Sequence, residues 1–228
     1  TQIKESKEIG KDILPINGTD YIEFYVGNAK QAAIYYMAAF GFEQVAYKGP
    51  ETGSRDVVSY VLQQGKIRFV LTSALHPEHE ISRHVALHGD GVKVLALWVD
   101  DAVASWEGTT ARGAESAFEP TVLEDEYGKV TVSAIKTYGE TIHTFVQRSD
   151  YKGAFLPGYK AWKSERKVEP LGFLYVDHCV GNVELGQMNQ WVKFYEDVMG
   201  FRLLITFDDN DISTEYTALM SKVVSNGN

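Results

Sequence analysis

A short repeat constrains the fold of this chain more than any other feature of the sequence. The run Val-Gly-Asn occurs at 26–28 and again at 180–182. Each run is followed by an apolar helical pattern that ends in a Gly-Phe pair, at 41–42 and at 200–201, and a tyrosine stands five residues before each glycine. Glycine adopts the left-handed conformation that ends many helices. The sequence therefore predicts one structural unit, a strand followed by a helix, that occurs more than once.

The first copy of this unit continues into a longer pattern. Asn28 is a suitable N-cap and Gly41 a suitable C-terminal cap for the helix between them, and alternating apolar residues indicate the strands around it. Gly-containing turns at 49–53 and 64–65 separate the later strands. We predict, in order, a strand at 21–28, a helix at about 29–40, and strands at 42–47, 56–63 and 66–73.

Residues 92–150 repeat the same order of elements. Asp100 or Asp101 is expected to cap the helix of this second module, and the helix should stop near Gly113. His143 lies in the last strand beside an aromatic residue, and we expect it to be structural. The predicted strands lie at 92–99, 117–124, 129–136 and 141–148.

The segment between the two modules, 74–91, holds four of the six histidines. His84 and His88 are four residues apart and would share one face of a helix, so a zinc site must be considered. No cysteine accompanies them, and Glu78 and Glu80 are typical surface acids. We therefore predict a polar connecting helix, capped at 89–91, rather than a metal site.

The composition excludes several classes of protein. The chain has 228 residues, a net charge of −9 and 44% hydrophobic residues, so it can bury a sizeable core but lacks the clustered positive charge that binds phosphate backbones. Cys179 is the only cysteine, which excludes an internal disulfide, and no run of about 18 apolar residues predicts a membrane span. We expect a soluble, cytoplasmic protein that binds neither nucleic acid nor membranes.

The third occurrence of the pattern begins after a polar and charged stretch at 151–170, which we interpret as a linker. Residues 175–182 predict a strand that carries His178 on its apolar face, and 184–199 predict a helix. Alignment of the two Val-Gly-Asn runs places His178 opposite Phe24. His178 is therefore either a core imidazole or a metal ligand, and the residues alone leave both open. The predicted organisation is a barrel domain at 12–150, the linker at 151–170 and the start of a second barrel domain at 171–228.

Several longer runs resemble one known family, 4-hydroxyphenylpyruvate dioxygenase of the bacterial type, in the vicinal-oxygen-chelate superfamily. One of these runs is 177–186 (Asp-His-Cys-Val-Gly-Asn-Val-Glu-Leu-Gly). The others are 26–33, 53–55, 68–73, 88–92, 134–139 and 156–159. The resemblance covers the chain from about Asp20 onward. It implies an α+β fold in which paired βαβββ modules form half-open barrels.

The resemblance also implies a site and a reaction. In this family the C-terminal barrel binds Fe(II) through two histidines and one glutamate, and His178 stands at the position of the first histidine. Ser221, in the run 219–223, would lie beside the substrate. The reaction it implies converts 4-hydroxyphenylpyruvate and O2 to homogentisate and CO2 in tyrosine catabolism. Homo-oligomers, dimers or tetramers, are usual in the family.

The sequence departs from the family pattern because it ends at Asn228, before the second histidine and the glutamate. We therefore expect the 228-residue chain alone to be inactive. Two alternatives remain. One is hydroxymandelate synthase, which uses the same substrate and iron. The other is a non-enzymatic ligand-binding module of the same fold, which would hold a filled apolar cleft within 12–150 and no metal at His178.

Overall fold

The computed structural model describes residues 12–207 and 220–227, and it contains the two predicted modules. In both, the predicted order of strand, helix and three strands is confirmed, and the connecting helix between them is also present. The elements are β1 (Gly18–Tyr25), α1 (Ala29–Phe40), β2 (Glu43–Lys48), β3 (Val57–Gln64), β4 (Ile67–Ala74), α2 (Glu80–His88), β5 (Gly91–Trp98), α3 (Ala102–Ala111), β6 (Ser116–Asp125), β7 (Gly128–Lys136) and β8 (Ile142–Gln147).

The strands of both modules form one curled sheet. Its order is β6-β7-β8-β5-β1-β4-β3-β2, so the two modules meet where β1 pairs antiparallel with β5. Within each module the first strand runs parallel to the last one, β1 with β4 and β5 with β8, and the remaining pairs are antiparallel. The two modules therefore have the same topology, which confirms the predicted half-open barrel built from duplicated βαβββ units.

Local capping signals set the ends of the helices. The side chain of Asn28 accepts a hydrogen bond from the amide of Gln31 at 3.0 Å, and Asp101 accepts from the amides of Val103 and Ala104 at 2.9 Å. Gly41 ends α1 with φ of 70°, a conformation that costs glycine little. The predicted caps at Asn28, Asp101 and Gly41 are thus confirmed.

The two faces of the sheet are filled differently. Helices α1 and α3 cover one face, where Ala29, Ala33 and Met37 are the buried residues of α1. On the other face, Tyr21 packs edge-on against Phe155 at a centroid distance of 5.1 Å. Phe155 is only 2% exposed, so a residue from beyond β8 fills the interior of the half-barrel.

The stretch after β8 packs closely on the barrel. Asp20, which is 4% exposed, accepts hydrogen bonds of 2.7 and 2.6 Å from the guanidinium of Arg148, and Arg148 also donates to the carbonyl of Phe155. Further on, β9 (Lys160–Ala161) pairs with β2 at the edge of the sheet. The boundary at residue 150 stays a prediction, and these contacts favour a later one.

The third occurrence of the repeat forms only in part among the described residues. It contains α4 (Met188–Met199), β10 (Arg202–Phe207) and β11 (Ser221–Ser225), and the two strands pair antiparallel. Gly200 ends α4 with φ of 72°, as Gly41 ends α1. No helix in 12–207 or 220–227 combines the length and hydropathy needed to cross a bilayer.

The strand predicted at 175–182 is wrong. Residues 171–184 contain no regular secondary structure, and Leu174 and Val180, which should share a buried face with His178, are 67% and 78% exposed. The amide of Lys66 donates to the carbonyl of Leu174, but no ladder continues from that bond. A strand needs a neighbouring strand to pair its backbone groups, and no strand of the described residues pairs with this segment.

Candidate metal-binding residues

His178 lies on the surface, paired with the residue before it. Its Nδ1 is 2.7 Å from Asp177 Oδ2, and the two side chains are 71% and 78% exposed. Metal-ligating histidines commonly bind the metal through one ring nitrogen and donate the other to a carboxylate. The pair therefore fits a histidine that would bind a metal through Nε2. Within the described residues, His178 is not part of a group of three converging donors.

Ser221 is the first residue of β11 and stands opposite Phe207 in the β10–β11 ladder. It is half-buried, and the side chain of the next residue, Lys222, donates to Asn189 of α4. No hydrogen bond joins Ser221 to His178 in the part of the chain that the structure describes. The substrate-binding role of Ser221 and the metal-binding role of His178 both stay predictions.

His143 is a buried connection between the barrel and α4. Its Nδ1 lies 3.3 Å from the carbonyl of Leu95, and its Nε2 lies 2.8 Å from the hydroxyl of Tyr195. Burial lowers the pKa of His143 to about 4, so the imidazole is neutral at physiological pH. These contacts agree with the structural role expected for His143.

A second group of histidines lies on α2. His84 Nδ1 and His88 Nε2 are 3.2 and 3.1 Å from the same oxygen of Glu140, in the turn between β7 and β8. Burial and the nearby Lys93 lower the pKa of His84, and hydrogen bonds from the two histidines lower the pKa of Glu140. The predicted connecting helix is confirmed, but the sequence analysis missed Glu140 as its partner.

The topology holds the signal that could have revealed Glu140. Helix α2 leads directly into β5, and β5 pairs in parallel with β8, with Val94 opposite Ile142. The turn that precedes β8 must therefore lie near the end of α2. Once two βαβββ modules are predicted, this pairing brings Glu140 close to His88.

Side chains from the segment after β8 occupy the interior of the half-barrel. Besides Phe155, the ring of Tyr159 fills this space at 4.9 Å from the Phe155 ring. Beneath them, Thr72 donates to Glu23 at 2.7 Å, and burial raises the pKa of the Glu23 carboxyl. The chain's own side chains fill this interior, which gives no support to the apolar ligand cleft of the binding-module alternative.

Comparison with known proteins identifies the family. Residues 11–157 match the family described as "Hydroxyphenylpyruvate dioxygenase, HPPD, N-terminal". A 4-hydroxyphenylpyruvate dioxygenase from Yarrowia lipolytica is 40% identical in an alignment 232 positions long that covers 98% of this chain and 59% of that protein. One from Caenorhabditis briggsae is 44% identical over 94% of this chain and 56% of that protein. The chain thus spans less than two thirds of the curated relatives it matches.

The fold comparison agrees with the sequence comparison. A mutant of 4-hydroxymandelate synthase from Streptomyces coelicolor superposes with a TM-score of 0.77 at 26% identity, over 94% of this chain and 60% of that one. The relatives named here that carry the dioxygenase name are eukaryotic, so membership of a bacterial subgroup stays a prediction. The matched family, the two relatives and the shared fold together show that the chain belongs to the hydroxyphenylpyruvate dioxygenase family and contains its N-terminal domain.

Proposed function

We propose that this sequence supplies the N-terminal barrel and the start of the iron-binding barrel of a 4-hydroxyphenylpyruvate dioxygenase. The reaction would convert 4-hydroxyphenylpyruvate and O2 to homogentisate and CO2. The observation that carries the proposal is the 40–44% identity to proteins of that name over at least 94% of this chain. The barrel at 12–150, the linker at 151–170 and the iron-binding segment at 171–228 are part of this proposal.

In this proposal His178 is the first of three Fe(II) ligands. Its Nδ1 contact with Asp177 supports the assignment because it occupies Nδ1 and leaves Nε2 to bind the metal. An Fe(II) ion held there would be chelated by the 2-oxo acid and would supply the chemistry that activates O2. The role proposed for Ser221, in β11, is to contact the substrate.

The proposal also includes the assembly and location that the family resemblance implies. We expect a cytoplasmic homo-oligomer, a dimer or a tetramer. The substrate would be a small molecule, and the net charge of −9 argues against a nucleic-acid partner.

Iron content and product formation test the proposal together. We would purify the longest polypeptide encoded around this sequence and compare it with His178→Ala and with His76→Ala. His76 is a matched control because it is a surface histidine outside the proposed site, with a hydrogen bond to the carbonyl of Arg55. The parent and His76→Ala should hold about one iron per catalytic site and form homogentisate, whereas His178→Ala should lose both. Normal iron content and turnover in His178→Ala would contradict the assignment of this ligand.

The structural likeness to 4-hydroxymandelate synthase favours that enzyme as the second candidate function. It would act on the same substrate but hydroxylate the side chain. Chromatography of the products separates the two, since homogentisate and 4-hydroxymandelate differ in the position of the new hydroxyl. Hydroxymandelate as the main product would replace the first proposal by the second.

A further inference from the structure

Three potential metal ligands converge outside the proposed iron site. His84 and His88 stand one turn apart on α2, with ring centroids 4.5 Å apart, and Glu140 reaches them from the β7–β8 turn. The three donor atoms lie within 4.8 Å of one another, and both imidazole nitrogens face the same carboxylate oxygen at 3.1–3.2 Å. His84 and Glu140 are 56 residues apart in sequence, so the fold, and not local sequence, brings them together.

The distances between the donor atoms agree with a tetrahedral zinc site. Zinc binds imidazole nitrogen and carboxylate oxygen at about 2.0–2.2 Å, so neighbouring ligands of a tetrahedral site are about 3.3 Å apart. The two nitrogen–oxygen distances here, 3.1 and 3.2 Å, are close to that ligand–ligand distance. Two imidazoles and one carboxylate are also a donor set that first-row divalent metals prefer, and three protein ligands leave a position for water.

Burial and access are suited to a metal as well. The side chain of His84 is 9% exposed and packs at 5.4 Å against the Tyr25 ring, which fixes its orientation. The side chains of His88 and Glu140 are 40% and 53% exposed, so an ion can reach them from solvent. The positive charge of Lys93 would repel a cation at this site. Its ammonium donates a hydrogen bond to the backbone carbonyl of Glu140.

We propose that His84, His88 and Glu140 bind a divalent transition-metal cation of the zinc class. The ion would connect α2, which joins the two modules, to the turn between β7 and β8. This site shares no residue with the proposed iron site at His178, and it stands or falls independently of the catalytic function. Its role is to hold the connecting helix against the second module.

Zinc titration of the metal-free 228-residue chain tests the site. Asp177, His178 and Cys179 are adjacent on the surface and could bind zinc adventitiously, so the titration uses a His178→Ala, Cys179→Ser background. We expect one zinc per chain by calorimetry, with protection of 80–88 and 137–141 from hydrogen exchange when zinc is present. His88→Ala should weaken zinc binding at least about tenfold, since even partners outside the first ligand shell are worth about that much.

Glu140→Gln separates a metal site from a simple hydrogen-bond cluster. The glutamine oxygen can still accept from both imidazoles but is a poor zinc ligand. A metal site therefore predicts that the Glu140→Gln chain stays folded without metal but binds zinc at least about tenfold more weakly, while His76→Ala should bind zinc as the background does. Zinc binding that is absent from the background chain, or unchanged in both His88→Ala and Glu140→Gln, would overturn the proposal. His84→Ala is not used alone, because its buried side chain contributes to packing.

Discussion

Helices α1 and α4 derive from the same repeated sequence and end in the same way. The amide of Phe42 donates to the carbonyl of Tyr36 at 3.4 Å, and the amide of Phe201 donates to the carbonyl of Tyr195 at 3.0 Å. In both helices the preceding glycine is left-handed. The amide of each glycine also donates to the carbonyl four residues earlier, Gly41 to Met37 and Gly200 to Glu196, at 3.2 Å in both. This is the αL cap, so the Tyr-x4-Gly-Phe pattern specifies the same helix end twice.

The surfaces that the two helices cover are different. Helix α1 packs on its own module, where Met37 belongs to the same cluster as Phe42 and Leu71. Helix α4 packs on the second module instead, where Val198 and Met199 join the cluster of Phe145. Arg112, at the end of α3, donates to the carbonyl of Val198 at 2.7 Å. A short motif can therefore specify how a helix ends without specifying its packing partner.

The largest expected effect concerns the bond that ties α4 to the barrel. His143 has a pKa of about 4 in the folded protein against an ordinary value of 6.5. Because the unfolded chain binds a proton first, stability is fully present above pH 6.5 and is lost as the pH falls towards 4. A difference of this size corresponds to about 3 kcal/mol. Urea unfolding measured between pH 7 and pH 4 should show this loss.

His143→Gln removes the titration but keeps a side chain that can bond the Tyr195 hydroxyl. The stability of this variant should depend less on pH between 6.5 and 4 than that of the parent. His76→Gln, on the surface, should keep the parent's dependence. If the free energy of unfolding fell equally with pH in His143→Gln and in the parent, carboxylates and not His143 would cause the loss.

The two glycines that end the helices should differ in their tolerance of alanine. Both substitutions place a side chain in the left-handed region, which costs about 1 kcal/mol. At Gly41 the new Cβ would also clash with the backbone carbonyl of Glu169, whereas at Gly200 it meets only the side chain of Ile13, which is 46% exposed and can move. We expect losses of about 2–3 kcal/mol for Gly41→Ala and about 1 kcal/mol for Gly200→Ala.

Chemical denaturation of the two alanine variants measures this difference directly. Gly41→Asn and Gly200→Asn are the matched controls, because asparagine tolerates the left-handed conformation better than alanine but still carries a Cβ. Relative to alanine, asparagine should restore more stability at position 200 than at position 41. Equal losses at the two positions would mean that residues 169–170 shift away at no cost.

The sequence predicts the barrel well because its signals are local. Asn28, Asp101 and Gly41 act on the backbone within four residues of themselves, and each side chain or glycine is found in the predicted cap. Alternating apolar residues set the strands for the same reason. Once two modules with this order are recognised, their pairing into one sheet follows from the repeat.

Sequence analysis predicts the candidate sites less well because they depend on distant residues. The alternation around His178 predicts a strand, but a strand forms only beside another one, and the described residues provide none. The resemblance to the family, not the local pattern, identifies His178. Glu140 lies too far from His84 in sequence for spacing alone to connect them. The burial of Phe155 inside the barrel is likewise not predicted, because the composition of 151–170 is typical of a linker.

The smallest expected effect concerns the other end of the two helices. Asn28 caps α1 through a side-chain hydrogen bond, whereas Gln187 precedes α4 without one. Asn28→Ala should therefore cost about 1 kcal/mol, and Gln187→Ala should change stability by less than about 0.5 kcal/mol. Asn28→Asp keeps an oxygen that accepts from the Gln31 amide, so urea unfolding should show near-parent stability for it. If Gln187→Ala were as destabilising as Asn28→Ala, the start of α4 would be held by contacts of that side chain other than a cap.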